Sequence, residues 1–305
     1  MKTCSSVSEF ADKYDAFILD IWGVIHDGSA TYPNVVECMQ ALRAAGKRII
    51  FLSNAPRRAS KVSVVLNKFG ITENLYDGVI SSGEAAFNII KSLPAKSTDF
   101  AIEQRGTPRA DGSVGLLTSP LNHSTTQLLN FLYIGPEKDR DLLDGSGLQE
   151  VQSAAEADFC VATGFDEDNS TLAEKLPQIE DCMAAGLKMY CVNPDRIVVR
   201  QDGTEMLCAG VIGEYYRDAG FETEFIGKPY KQVYEQCFEL LKGIPKDKIC
   251  AIGDNLDTDI LGANAVGIDS ALCLGGVLMN SDRGIAELAA EIGAKPTYTI
   301  PAFRF

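Results

Sequence analysis

Polar side chains that could do chemistry stand in four short segments, each just after an apolar stretch or beside a glycine. The segments are residues 20–24 (DIWGV), 53–54 (SN), 227–229 (GKP) and 253–259 (GDNLDTD). They supply carboxylates at the ends of two predicted strands, one hydroxyl and one lysine. These groups are the parts of a magnesium-dependent phosphoryl-transfer site. The four segments therefore indicate chemistry on a phosphate group.

Asp20 ends the apolar run of residues 16–19, and a carboxylate at the carboxyl end of a buried strand is where open α/β sheets do chemistry. It is a candidate nucleophile and magnesium ligand; the alternative is an Asx-type turn residue that closes a strand. Ser53 and Asn54 end the next apolar run. A hydroxyl and a backbone amide at the start of a helix can bind phosphate oxygens, although an ordinary helix N-cap uses the same residue types.

Lys228 follows a glycine and precedes a proline, and its ammonium could pair with a phosphoryl group and the nucleophile carboxylate. A solvated lysine is the alternative. Residues 253–259 place three carboxylates close together, those of Asp254, Asp257 and Asp259. Clustered anions repel one another unless a cation neutralises them, and a hard cation such as Mg²⁺ prefers oxygen ligands. A solvated acidic turn is the alternative here.

Strand-like and helix-like patterns alternate along the chain, which predicts an α/β fold with a doubly wound parallel sheet. Apolar runs indicate strands, and apolar residues at intervals of three and four indicate helices. In the first part of the chain the predicted strands are residues 15–20, 48–53 and 79–81, and the predicted helices are residues 33–45, 57–69 and 85–93. Ser81 and Glu84 have the spacing of a capping box at the start of the third helix.

Composition changes over residues 94–127, which are rich in proline, serine and threonine, and we expect an irregular insertion with a hairpin near Asp111-Gly112. A second α/β unit follows. Its predicted strands are residues 129–134, 159–163 and 187–192, and its predicted helices are residues 137–143 and 171–185. It ends at Asn193-Pro194-Asp195, a candidate hinge because proline restricts the chain on both sides.

The first unit then continues towards the carboxyl terminus. Its further predicted elements are a helix near 206–219, the strand 223–226, the helix 230–242, the strand 249–253, a helix near 259–265 and the strand 270–274. The expected architecture is a Rossmann-like core of residues 1–84 and 197–305, interrupted by an inserted α/β cap of residues 85–196.

Bulk properties narrow the class of protein. Hydrophobic residues make up 46% of the 305, which fits a globular chain of one or two domains. A net charge of −14 disfavours nucleic acid and anionic membranes as partners. The cysteines form no C-x-x-C pair, which indicates reduced thiols. Because no apolar stretch approaches the ~18 residues of a spanning helix and no signal-peptide pattern is present, we expect a cytoplasmic location.

The four segments and the hinge resemble the motifs of the haloacid dehalogenase-like hydrolases. The matching stretches are residues 20–28 (DIWGVIHDG), 52–54 (LSN), 192–195 (VNPD), 227–229 (GKP) and 253–260 (GDNLDTDI). Their order and spacing cover almost the whole chain and are most similar to the class IIA branch, which includes sugar-phosphate and nucleotide phosphatases with a large α/β cap. Residues 94–127 are not matched to that pattern.

The resemblance implies a catalytic set and a metal. Asp20 would attack phosphorus and form an aspartyl-phosphate, while Ser53 and Lys228 would hold the phosphoryl oxygens, in agreement with the need for positioned cations and donors around that charge. The implied Mg²⁺ ligands are Asp20, Asp254 and the backbone carbonyl of Trp22, with Asp259 acting through water. The further candidates for binding phosphate or substrate are Asn54, Asn193 and Asp195.

Trp22 departs from the family pattern, in which the residue two positions after the nucleophile is an aspartate that protonates the leaving oxygen and later activates water. An indole donates a hydrogen bond but takes up no proton, and loss of general acid–base help typically costs ~10²–10⁴-fold in rate. Turnover is therefore slow, or another group supplies the proton, or the site binds without turnover. The candidates for that other group are His26, Asp27 and Asp195.

Three classes of function remain as alternatives. The first is Mg²⁺-dependent hydrolysis of a small phosphorylated metabolite through Asp20, slowed by Trp22. The second is non-catalytic binding or sensing of such a ligand. Other chemistry at a carboxylate nucleophile, such as C–halogen or C–P cleavage, is a third class, and dehalogenation would need no magnesium. The resemblance also points to a homodimer, since the cap often mediates dimers in the family.

Overall fold

The computed structural model describes residues 1–94, 96–99, 124–281 and 283–305. The described strands are β1 (Lys2–Thr3), β2 (Ala16–Leu19), β3 (Arg48–Ser53), β4 (Gly78–Ser81), β5 (Lys96–Asp99), β6 (Ser124–Gln127), β7 (Asn130–Ile134), β8 (Gln149–Val151), β9 (Phe159–Ala162), β10 (Lys188–Cys191), β11 (Ile197–Val199), β12 (Glu205–Leu207), β13 (Thr223–Phe225), β14 (Ile249–Gly253), β15 (Asp269–Cys273) and β16 (Tyr298–Ile300). The described α-helices are α1 (Val35–Ala44), α2 (Ala59–Lys68), α3 (Ser82–Lys91), α4 (Leu172–Ala184), α5 (Ala209–Asp218), α6 (Lys231–Leu240), α7 (Leu261–Val266) and α8 (Ile285–Ile292). Within these ranges, no helix combines the length and the apolarity that crossing a bilayer requires. The hairpin expected near Asp111-Gly112 lies outside the described residues.

The larger sheet has seven parallel strands in the spatial order β1-β16-β15-β14-β2-β3-β4. After the edge strand β1, the chain enters near the centre of the sheet at β2, builds β3 and β4 on one side, and later adds β14, β15 and β16 on the other. This reversal of strand order opens a crevice at the carboxyl ends of the central strands, where α/β proteins bind ligands. The predicted doubly wound parallel sheet is confirmed.

Helices cover both faces of this sheet. Phe17 and Leu19 of β2 pack into one apolar layer with α1 and α2, whereas Ala16 and Ile18 pack into the opposite layer with α3, α6 and α7. Because both faces are buried, β2 is apolar at every position instead of alternating. Its first polar side chain, Asp20, therefore falls at the exit from the sheet.

A second sheet has five parallel strands in the order β13-β10-β9-β7-β8. One face packs on α4 and α5, and the other joins the apolar layer that contains α3. Two antiparallel strand pairs complete the described pairing, β5 with β6 and β11 with β12.

Our expectation that strand 223–226 belongs to the larger sheet is wrong. Thr223–Phe225 pairs in parallel with β10 and forms the edge of the second sheet. The segment from β10 to β13 is a βαβ unit in which α5 crosses over, with Ile212 and Tyr216 of α5 in the same apolar cluster as Phe225. A three-residue strand carries no local sign of the sheet it joins. The division of the chain into a core and a cap at residues 84/85 and 196/197 stays a prediction.

Several predicted helices differ in their details. Residues Glu137–Leu143 form a 3₁₀ helix instead of an α-helix, and the helix expected near 259 begins with a π-helical turn at Leu256–Ile260. Half of the capping box is present, since Ser81 Oγ accepts the N–H of Glu84. The Glu84 carboxylate instead accepts hydrogen bonds from Arg58.

Candidate functional site

Three predicted site residues lie side by side at the carboxyl edge of the larger sheet. Asp20 follows β2, Ser53 ends β3 and Asp254 follows β14, and β2 is paired with both of the other strands. Parallel strands bring these ends to one edge, so residues far apart in sequence share one crevice. All three side chains are buried, with 7% of Asp20 and 3% of Asp254 exposed.

Lys228 connects two of the acidic residues. Its Nζ lies 2.5 Å from Asp20 Oδ1 and 2.7 Å from Asp259 Oδ1. Only 3% of Lys228 is exposed, so both ion pairs are shielded from water. Asp259 is also held at Oδ2 by the backbone N–H of Asn255, at 3.2 Å.

Asn54 fixes the backbone that carries Lys228. Its Oδ1 accepts the N–H of Lys228 at 2.7 Å, and its Nδ2 donates to the carbonyl of Lys228 at 3.2 Å and to Asp195 Oδ1 at 3.0 Å. Ser82 Oγ donates to the same Oδ1 at 3.2 Å. Asn54 thus uses both ends of its amide within the site instead of acting as an ordinary helix cap.

Burial and mutual repulsion govern the charges of these groups. Burial raises the pKa of Asp20 well above its ordinary value, with Lys228 opposing the rise and Asp259 and Asp254 adding to it. Burial, followed by the charge of Asp259, raises the pKa of Asp254 to about 7. Burial would lower the pKa of Lys228, but Asp20 and Asp259 outweigh it and raise that pKa well above its ordinary value. Lys228 is therefore a permanent cation among acids that resist ionising together.

The donor set fits a divalent cation. One carboxylate oxygen from each of Asp20, Asp254 and Asp259 lies within 4.8 Å of the other two. Three carboxylates beside a single ammonium leave two negative charges in a buried site when all are ionised. Mg²⁺ takes one or two carboxylates directly, together with water and substrate phosphate oxygens, so two of these three carboxylates would suffice as direct ligands.

Two glycines make room for the Asp254 carboxylate. A Cβ built on Gly23, whose φ is +85°, or on Gly276 would overlap the Asp254 carboxyl group. The backbone N–H of Val277 donates to Asp254 Oδ2 at 2.7 Å and fixes its orientation. The predicted cluster of carboxylates therefore forms for Asp254 and Asp259, whereas Asp257 is exposed and lies outside it.

Trp22 turns its indole towards the β11–β12 hairpin. Its Nε1–H donates to the carbonyl of Val199 at 3.0 Å, and its ring packs over Gly28, where an added Cβ would come within 2.7 Å of the ring. The ring also meets the His26 imidazole edge to face, with 6.0 Å between centroids. Trp22 is half-buried and forms part of the wall of the site cavity.

His26 and Asp27, two candidates for the missing proton donor, are occupied by their own loop. His26 Nδ1 accepts the N–H of Gly28 at 2.9 Å, and burial lowers its pKa to about 4, so the imidazole is neutral at pH 7. Burial would raise the pKa of Asp27, but hydrogen bonds from Ala30, Ser29 and the backbone of Gln201 lower it below its ordinary range. Neither group is matched to proton transfer near neutral pH.

Asp195 and Asn193 join the site from the end of β10. Both line a cavity of about 380 Å³ that also contains Asp20, Ser53 and Lys228. Asn193 Oδ1 accepts the N–H of Asp195 at 3.0 Å, which fixes the turn. Burial raises the pKa of Asp195 to about 6, the range that suits a general acid or base.

Some residues of the site had no strong sequence signal. The amide of Val277 and the hydroxyl of Tyr234, which donates to the Asp259 carbonyl at 3.1 Å, approach from segments that carry no motif. The β11–β12 hairpin, which forms one side of the cavity, did have a signal. Asp202-Gly203 between β-branched and apolar residues is typical of a hairpin turn.

Two family models match the chain. The haloacid dehalogenase-like hydrolase model matches residues 17–110, and the HAD-hydrolase-like model matches residues 225–304. The 4-nitrophenylphosphatase of Schizosaccharomyces pombe is 26% identical over 262 residues, which cover 83% of this chain and 80% of that protein.

Solved structures have the same fold. A haloacid dehalogenase-like hydrolase from Brucella suis 1330 superposes with a TM-score of 0.79 at 26% identity, over 98% of this chain and 99% of that one. The glycerol phosphate phosphatase of Mycobacterium tuberculosis, in complex with magnesium, superposes with a TM-score of 0.64 at 21% identity, over 97% of this chain and 76% of that one. The chain belongs to the haloacid dehalogenase-like hydrolases. Its relatives are phosphatases of the class IIA branch, as the motifs predicted.

Proposed function

We propose that this protein is a Mg²⁺-dependent hydrolase of a small phosphate monoester that uses Asp20 as its nucleophile. The observation that carries the proposal is the buried group of Asp20, Asp254 and Asp259 around the Lys228 ammonium at the carboxyl edge of the larger sheet. The phosphatase names of the relatives support it. The cavity of about 380 Å³ lies at the small end of the range for ligand pockets, which favours a small ester.

The residues have distinct parts in the proposed reaction. A carboxylate oxygen of Asp20 attacks phosphorus, the bond from phosphorus to the leaving oxygen breaks, and an aspartyl-phosphate remains. Water then attacks that phosphorus, which releases inorganic phosphate and restores the Asp20 carboxylate. Lys228, Ser53 and the backbone at Asn54 bind the phosphoryl oxygens, where charge is concentrated in the transition state.

Asp20, Asp254 and the Trp22 carbonyl would hold Mg²⁺, with Asp259 acting through water. The bound ion supplies positive charge to the phosphoryl oxygens. A magnesium complex of the mycobacterial relative supports the choice of metal. Asn193 and Asp195 would bind the substrate from the side of the second sheet, which we propose acts as the cap.

Trp22 makes this a slow enzyme in our proposal, because its indole takes up no proton where the family pattern has an aspartate. Asp195 is the best placed of the candidates to supply residual proton transfer, since it lines the cavity and its pKa is raised to about 6. A cytoplasmic location and a homodimer stay predictions.

The test is phosphate release from p-nitrophenyl phosphate and a panel of metabolite phosphates, with Mg²⁺ and with EDTA. We expect slow, metal-dependent release that Asp20→Asn abolishes, together with an acid-stable phosphoryl group trapped on the wild-type protein. The presence of Trp22 favours a second candidate, a non-catalytic phospho-ligand sensor. Mg²⁺-dependent binding of a phosphate ester without any release or trapped phosphoryl group would support the sensor and overturn the hydrolase.

A further inference from the structure

The β11–β12 hairpin, residues 197–207, forms one side of the cavity that contains Asp20 and Lys228. Ile197, Val198 and Met206 contribute lining side chains from the hairpin. Two strands of three residues each have little apolar area of their own, and an isolated two-stranded hairpin is marginally stable at best in water. What holds this hairpin in place therefore determines whether the cavity is closed on that side.

Three hydrogen bonds join the hairpin to the loop after Asp20, and the longest runs from Gln201 Nε2 to the Ala30 carbonyl at 3.4 Å. Trp22 Nε1–H donates to the carbonyl of Val199 at 3.0 Å, and the N–H of Gln201 donates to Asp27 Oδ2 at 3.1 Å. On its other side the hairpin is joined to the loop after β9, where Arg200 pairs with Asp168 at 2.7 Å. The turn of the hairpin thus bridges the two sheets above the site.

The loop is shaped to present the Trp22 indole and the Asp27 carboxylate. Gly28 lies against the indole ring, where no Cβ would fit, so the ring is held flat over the loop. Asp27 Oδ1 accepts the N–H groups of Ser29 and Ala30 at 2.9 and 2.8 Å, which orients the carboxylate and directs Oδ2 to Gln201. An aspartate at position 22 would have neither the reach nor a donor to bind the Val199 carbonyl.

We propose that Trp22 is a positioning residue whose indole holds the 197–207 hairpin over the phosphate site, so that the closed cavity accepts small phosphate esters and excludes bulky ones. The substrate part of this inference rests on the proposed hydrolase function, whereas the holding of the hairpin does not. The side chain at position 22 would then help to close the site, whereas the aspartate of the family pattern transfers a proton.

Hydrogen–deuterium exchange of the segment 197–207 tests the holding without any substrate. Trp22→Phe keeps an aromatic ring and removes the N–H, and the loss of one such hydrogen bond predicts about 2- to 10-fold faster exchange there. Tyr32→Phe is the matched control, because it removes a hydrogen bond from the same region, Tyr32 to the Gly275 carbonyl at 3.3 Å, that does not involve the hairpin. Equal exchange of this segment in the two variants would overturn the proposal.

A second variant covers the case in which Trp22→Phe fails to fold. Asp27→Asn keeps one acceptor oxygen for Ser29 and Ala30 but presents an amide to the Gln201 N–H. Trp22 is the single tryptophan of the chain, so its fluorescence reports on this contact directly. If the indole holds the hairpin, Asp27→Asn should leave the emission maximum and the acrylamide quenching of Trp22 as in the wild-type protein. A red shift with increased quenching would show that the Asp27 carboxylate holds the hairpin instead, and would overturn the proposal.

Steady-state kinetics distinguish a failure of the positioning role of Trp22 from a failure of the proposed hydrolase function. If the protein hydrolyses p-nitrophenyl phosphate, Trp22→Phe should raise KM about 2- to 10-fold and change KM by a larger factor than kcat, because neither ring transfers a proton. A fall in kcat at constant KM would place the indole in the chemical step and overturn a purely positioning role. Absence of hydrolysis in every form would remove the hydrolase proposal while the exchange result still stands.

Discussion

Lys228 Nζ lies 2.5 Å from Asp20 Oδ1, although 208 residues separate the two along the chain. The pair forms because the segment after β13 and the end of β2 meet at one edge of the larger sheet. A buried carboxylate needs its charge balanced, and Lys228 provides that balance for Asp20.

Replacing Lys228 by methionine should lower Mg²⁺-dependent hydrolysis at least ~10²-fold, because a preorganised cation is lost where transition-state charge develops. The variant should also lose thermal stability in EDTA, since Asp20 and Asp259 are left without their partner. Lys231→Met is the control, since that lysine is exposed at the start of α6. If the two variants do not differ in rate or in melting temperature, the result contradicts the role assigned to Lys228.

Gly276→Ala should abolish Mg²⁺ binding, because its methyl group would overlap the Asp254 carboxyl group. Gly275→Ala is a neighbouring control, as its Cβ would meet nothing closer than 3.7 Å. The measurement is the rise in melting temperature with MgCl₂, which reports ligand binding by mass action. We expect the rise in the wild-type protein and in Gly275→Ala but not in Gly276→Ala. The same rise in both variants would argue against Asp254 as a ligand.

Trp22→Asp should raise kcat for p-nitrophenyl phosphate at least ~10-fold, because it restores a group that can give and take a proton. The gain should be larger for an alkyl phosphate, whose leaving oxygen needs the proton more. Combining the change with Asp20→Asn should remove all activity. An unchanged kcat in Trp22→Asp would mean that another residue already supplies the proton.

Asp195→Asn should lower kcat at least ~10-fold, since the amide accepts the hydrogen bond from Asn54 but transfers no proton. The pKa of Asp195 is raised to about 6, so a general acid at this position loses its proton as the pH rises. The wild-type kcat should accordingly decline above about pH 6, and Asp195→Asn should be flat over that range. A decline of the same size in the variant would exclude Asp195 as its source.

Glu84→Gln should lower the free energy of unfolding by about 1 kcal/mol at pH 7, because the carboxylate accepts hydrogen bonds from Arg58 at 2.8 and 3.0 Å. The Arg58 guanidinium holds the pKa of Glu84 below its ordinary value, so this stability is present above the unfolded pKa and is lost as the pH falls. The difference from wild type, measured by urea unfolding, should shrink towards pH 4. Glu287→Gln, at an exposed pair with Arg283, should change stability by less than ~0.5 kcal/mol.

Local patterns in the sequence predicted the larger sheet and the meeting of its polar strand ends. Strand 48–53 has the predicted bounds, and Asp20, Ser53 and Asp254 come together because each ends a fully buried parallel strand. Such strands are apolar throughout, so the first polar residue marks the edge of the sheet. The catalytic, phosphate-binding and metal-binding roles of these residues stay predictions.

Contacts between a side chain and a distant backbone group could not be predicted in the same way. The Val199 carbonyl accepts a hydrogen bond from the indole N–H of Trp22, although 177 residues separate the two along the chain. The N–H of Val277 orients the Asp254 carboxylate from a segment without a motif. A backbone group has no sequence signature, so a pattern of side chains does not reveal it. The same limit applies to β13, since a three-residue strand fits the edge of either sheet.

The neighbouring strands β10 and β13 of the second sheet both lead directly into the site. Asn193 and Asp195 follow β10, and Lys228 follows β13 after Ile226, whose N–H still bonds to the Cys191 carbonyl at 2.9 Å. Asn54, at the end of β3, binds the backbone of Lys228 on both sides, so a rotation of the second sheet would move the Asp195 carboxyl group relative to Asp20 while the Lys228 ammonium stays in place. Opening the crevice would then break the hydrogen bond of Asp195 with Asn54 and leave the ion pair of Lys228 with Asp20 intact, so the charge balance at Asp20 would not depend on whether the crevice is open.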